Sequence, residues 1–152
     1  MNNYSSAAAQ ESQKAQRRSQ LRGQISLLEN EINTYNTQIS SLEFKLEQQR
    51  AMKELFEGKC TDLDTEKAAK SVCAQKLEPY TANLKFDLGY TNVMADLLYG
   101  STAQSYDGYR QETNQYMQAE INENQTKLEE LQLARNSKVT TMAGLNYELA
   151  RV

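Results

Sequence analysis

Residues 95–109 read ADLLYGSTAQSYDGY, and two opposite signals meet inside them. Gly100 directly follows an apolar-periodic run, Leu84, Leu88, Thr91, Ala95 and Leu98, and a residue without Cβ adopts at little cost the left-handed backbone that closes a helix. Ser101 comes next, with Gln104 three residues on. In that spacing the hydroxyl caps the third helical amide and the amide side chain reaches back. One helix is expected to stop at Gly100 and another to start at Ser101. A connection that short sets the two helices side by side and antiparallel. The stretch therefore predicts an all-α fold, an elongated helical hairpin that an extra arm makes into a three-helix coiled-coil bundle.

Upstream lies the strongest periodicity in the chain. Leu21, Ile25, Leu28, Ile32, Tyr35, Ile39, Leu42 and Leu46 step by alternating four and three residues, the a/d spacing of a heptad seam. Glu29, Glu31, Asn33, Asn36, Gln38, Glu43 and Lys45 occupy the other faces, so the apolar stripe is narrow and suits a partner helix. After Leu46 the seam weakens at Gln49 and Lys53 and resumes through Met52, Leu55 and Phe56, and Gly58 is expected to end the helix. A helix over about 8–57 would be a rod of roughly 70 Å at ~1.5 Å per residue. Residues 1–20 are polar, with Lys14, Arg17, Arg18 and Arg22 offset by Glu11, and are expected to be a solvated, partly frayed start.

Thr61, with Asp64 three residues on and Asp62 beside the positive helix end, is expected to open a second helix over about 62–99. Its seam is poorer. Lys67 and Lys70 are polar, followed by Cys73, Leu77, Tyr80 and Leu84, with a kink expected at Pro79 and a looser stretch at Gly89. The third helix, about 102–149, carries Tyr106, Tyr109, Thr113, Met117, Ile121, Asn124, Leu128, Leu131, Arg135, Lys138, Met142, Leu145 and Leu149. Tyr106, Tyr109 and Tyr116 are expected to pack against the first helix, with a partner-facing strip as the alternative. Arg135 and Lys138 stand where leucine is expected, so the end of this helix is expected to project beyond the bundle and to fray or be held by a partner.

Composition agrees with helices and excludes several classes of function. The chain has 152 residues, of which 39% are hydrophobic, with one proline and no tryptophan, and its mean hydropathy is -0.78. That apolar content suits narrow seams within a single domain spanning 1–152. A net charge of -3 argues against binding nucleic acid or anionic lipid through charge. No apolar run approaches the ~18 residues of a membrane span, and the N-terminal MNNYSSAAAQESQ lacks the order of a secretory signal. A chain made in the cytoplasm, without membrane insertion, is expected. Histidine is absent, so no histidine base, triad or histidine metal site exists. No catalytic residue, metal site or cofactor is expected, because narrow helical seams offer no concave pocket for a substrate. Cys60 and Cys73 read as two reduced thiols or, after export, as a disulfide between the start of the second helix and the loop before it.

Two stretches carry a family resemblance. Leu98-Tyr99-Gly100, followed by Ser101, Ala103 and Tyr106, resembles the W-x-G turn of the small WXG-type helical hairpins exported by type VII secretion, with leucine where those have tryptophan. The first helix resembles the I-x-x-L-x-x-E-I-x-x-Y-N-x-Q-I-x-x-L-E opening of the YwqH-like proteins, WXG-like relatives associated with LXG toxins of Gram-positive bacteria, through Ile25, Leu28, Glu31, Ile32, Tyr35, Asn36, Gln38, Ile39, Leu42 and Glu43. The matching parts span about residues 21–135. The resemblance implies a non-enzymatic adaptor or chaperone that binds the helical N-terminal domain of an LXG-type toxin, with a second small helical protein as a further partner, and targets the hetero-oligomer for type VII secretion without a cleaved signal peptide. Under it, Ile25, Leu28, Ile32, Tyr35, Ile39, Leu42 and Leu46 form the partner-binding seam. The family's Y-x-x-x-D/E export signal has one match, Tyr116 to Glu120, inside the third helix rather than in a tail. Two other classes use the same seams: a chaperone of another export or phage-assembly system, and a self-associating structural coiled coil.

Overall fold

The computed structural model describes the backbone of residues 3–77 and 85–152, and the side chains of residues 8–76, 89 and 92–152. Every described element is an α-helix: α1 Asn3–Leu77, α2 Lys85–Tyr99 and α3 Ser101–Arg151. The all-α expectation holds, and so does the helix boundary at Gly100, with α2 ending at Tyr99 and α3 starting at Ser101; the break expected at Gly58 and Thr61 does not. α1 passes through Gly58 and Thr61 without a break, where a stop and a start were expected. The reason is local. No described residue has a positive φ, so Gly58 does not take the left-handed conformation that ends a helix, and a helical glycine costs only about 1 kcal/mol relative to alanine. The Thr61 hydroxyl donates to the Glu57 carbonyl at 3.0 Å, one turn back inside the helix, instead of capping an amide. Residues 62–77 thus belong to α1, and the expected polar, frayed start is helical from Asn3.

At Gly100 the boundary stands, but the antiparallel arrangement expected of the two helices is corrected. Its N–H donates to the Asp96 carbonyl at 2.9 Å and to the Ala95 carbonyl at 3.2 Å, and its own carbonyl accepts from Gln104 N–H at 3.0 Å. Helical hydrogen bonding therefore runs through the glycine, so α2 and α3 form one bent arm rather than two antiparallel helices. Gln104 N–H is already used on Gly100, and the expected capping box does not form. The kink expected at Pro79 lies outside the described residues.

The contacts divide the chain into two units, Met1–Lys45 with Asn124–Val152, and Leu46–Glu123. In the first, α1 and the end of α3 run antiparallel, as Arg17 meets Glu148 at 2.9 Å and Glu31 meets Lys138 at 2.7 Å. Leu21, Ile25, Ile39 and Leu128 are its buried apolar side chains. Arg18 donates to the Val152 carbonyl at 2.9 Å. The end of α3, expected to project or fray, is instead helical to Arg151 and held by these pairs. The Glu31 carboxylate, by hydrogen bonding and charge, raises the pKa of Lys138. In the second unit α1 and α3 are again antiparallel, because Asp64 meets Arg110 and Lys67 meets Asp107. Leu46, Cys60, Leu98, Ala103 and Ile121 are buried there.

Candidate partner-binding seam and the bend at Gly100

The first-helix seam is where the spacing put it. Leu21, Ile25, Ile39 and Leu46 are buried, while Leu28, Ile32, Tyr35 and Leu42 are half-buried. Two antiparallel helices cover the centre of an a/d stripe and leave its flanks to solvent, so part of this apolar surface stays open in the first unit. A heptad stripe of that kind is the surface an amphipathic helix fills.

The spacing continues in α1 beyond Leu46. Gln49, Lys53 and Phe56 are half-buried, Cys60 is buried and Lys67 is half-buried. Facing it, α3 presents Ala103, Arg110, Asn114, Met117 and Ile121, not the expected Tyr106, Tyr109 and Thr113. Tyr106 is exposed, and Tyr109 and Tyr116 are 68% and 72% exposed, so the expected core packing of these tyrosines is corrected to an outer face. The cause is that polar residues hold the inner positions. Arg110 donates to both Asp64 oxygens, at 2.7 and 3.0 Å, the two-pronged geometry of the stronger ion pairs. Those N–H bonds are the largest influence on Asp64, whose pKa is lowered, and on Arg110, whose pKa is raised. Lys67 approaches Asp107 at 3.5 Å. Counting threes and fours back from Leu128 through Asn124, Ile121, Met117, Asn114, Arg110 and Asp107 to Ala103 finds this seam in the sequence, provided polar residues are admitted to it.

Beside this seam lies a polar cavity of about 540 Å³, bordered by Phe56, Cys60, Asp64, Arg110 and Asn114. Asn114 Oδ1 is buried with no protein hydrogen-bond partner. Lys53 pairs with Glu57, and that hydrogen bond is the largest cause of a lowered Glu57 pKa. The cysteine alternative of a disulfide is excluded within one chain. Both thiols are free, and both lie on α1, roughly 20 Å apart along an axis rising ~1.5 Å per residue, beyond the ~7 Å a bridge tolerates.

The turn residues also meet in one place. Leu98 and Ala103 are buried and, with Leu63, Met94, Leu97 and Tyr106, line an apolar groove of about 310 Å³ at the bend. Gly100 is required there for space. A Cβ on it would lie 2.6 Å from the Asp96 Cα and closer still to Asp96 Oδ1. Asp96, which the sequence reading passed over, takes the capping role given to Ser101. Its carboxylate accepts from the Thr102 hydroxyl at 2.6 Å and the Ser101 hydroxyl at 3.3 Å. The Thr102 bond is the largest cause of a lowered Asp96 pKa, and the amides of both residues add to it. Leu98-Tyr99-Gly100 is thus a clamped bend, not the hairpin turn that a W-x-G resemblance implies. Tyr116 and Glu120 lie one turn apart in the interior of α3.

No described helix is long and apolar enough to cross a membrane. No family model, curated protein or solved structure matches the chain.

Proposed function

We propose that the chain is a non-enzymatic adaptor that binds a helical protein partner, the N-terminal helical domain of an LXG-type toxin, and conveys it to type VII secretion from the cytoplasm. The observation that carries the binding reading is the half-buried row Leu28, Ile32, Tyr35 and Leu42, an apolar stripe of heptad spacing that α3 leaves partly uncovered. The choice of an LXG domain as occupant rests on the resemblance of residues 25–43 to the YwqH-like opening, with a second small helical protein as a further partner. A partner helix lying along the stripe removes its apolar flanks from water, at roughly 25 cal/mol per Å² covered.

Co-expression with an LXG-type toxin domain, followed by size-exclusion chromatography, tests the reading. The pair is expected to co-elute, and Ile32→Asp with Leu42→Asp, both in the half-buried row, is expected to abolish co-elution while each protein remains helical. Co-elution that survives the double substitution contradicts the reading. A homo-oligomer that ignores the toxin domain favours the self-associating coiled coil.

A further inference from the structure

The second unit joins α1 to α3 through two ion pairs, Arg110 with Asp64 and Lys67 with Asp107, beside the buried Cys60. Arg110 and Lys67 are about a quarter exposed, their partners Asp64 and Asp107 about half exposed, and Arg110 also lies 3.8 Å from Asp107. Partly exposed pairs of this kind weaken as salt rises, the two-pronged Arg110–Asp64 pair included. Cys60, Phe56 and Asn114 border the same cavity as Asp64 and Arg110, so parting uncovers a buried thiol. We propose that Phe56–Lys67 of α1 and Asp107–Met117 of α3 form a polar clasp that opens locally, with both helices intact, and that its ion pairs control the opening.

Cys60 reports on the clasp, and exposed Cys73 is the control on the same helix. Labelling with N-ethylmaleimide, an uncharged reagent, is followed in full-length Cys73→Ser for Cys60 and in Cys60→Ser for Cys73. Cys60 is expected to react at least about tenfold more slowly than Cys73 at low salt, and about fivefold faster at ~0.5 M salt than at ~0.02 M, while Cys73 changes little. Its rate is expected to stay flat in urea below the unfolding transition, the mark of local opening. In the Cys73→Ser background, Arg110→Asp is expected to bring Cys60 close to the Cys73 rate, and adding Asp64→Arg to restore slow labelling with the ion pair reversed. Should Arg110→Asp lose its helical signal, the salt and urea series in Cys73→Ser decide. A Cys60 rate indifferent to salt, or one rising with urea as steeply as global unfolding, overturns the proposal.

Discussion

Asp96 and Gly100 act as one device at the residue scale: the carboxylate seals the first turn of α3, and the glycine leaves room for the residue that carries it. Gly100→Val is expected to lower the melting temperature through collision with the Asp96 backbone, since no left-handed conformation is involved. Gly58→Ala, at a helical glycine whose Cβ would meet nothing within 4 Å, is expected to stabilise by about 1 kcal/mol. Thermal melts compare the two, and an unchanged midpoint for Gly100→Val contradicts the packing at the bend. Asp96 has a pKa lowered in the folded state. Its contribution is therefore present above the unfolded value near 3.8 and is lost as pH falls through the lower folded value. Asp96→Asn is expected to melt below the parent at about pH 7 and to converge with it near about pH 2. A gap that persists in acid contradicts a charge-dependent cap.

At the scale of elements, the continuity of α1 is what separates this fold from three short helices. Asp62→Pro distinguishes them, because proline is accommodated in the first turn of a helix that starts at Thr61, whereas in a helix interior it costs about 3 kcal/mol. A large fall in stability is expected, and a variant that melts like the parent contradicts a continuous α1. The first-helix seam was legible because leucine and isoleucine at alternating spacings of three and four have few other readings. The end of that helix was not legible, since Gly58 and Thr61 carry stop and start signals that take effect only when the backbone turns left-handed or the hydroxyl faces an amide. The α3 seam was misread for a related reason. Tyr106 and Tyr109 are apolar enough to read as seam residues, while the polar Arg110 and Asn114 occupy it, and Arg110 finds its partner in Asp64 of another element, a pairing that no local pattern reveals.

At the scale of the whole molecule, a chain with little apolar surface builds two helical units and leaves an apolar stripe partly open in one of them. The bend residues Leu98, Ala103 and Tyr106 were legible as a cluster, because a groove gathers them with Leu63 and Met94. Their geometry was not, because the sequence spacing does not show that helical hydrogen bonds continue through Gly100. A helix that completes the stripe adds stability by mass action. The chain bound to its partner is expected to melt at a higher temperature than the chain alone, and the double substitution Ile32→Asp with Leu42→Asp is expected to remove the increment. The central claim, that the stripe receives a helix of another protein, is tested most directly by light scattering on the size-exclusion peak of the chain co-expressed with an LXG-type toxin domain. The account predicts a single species whose mass is that of a hetero-oligomer containing both proteins. A toxin domain eluting alone, beside a homo-oligomer of this chain, would contradict it.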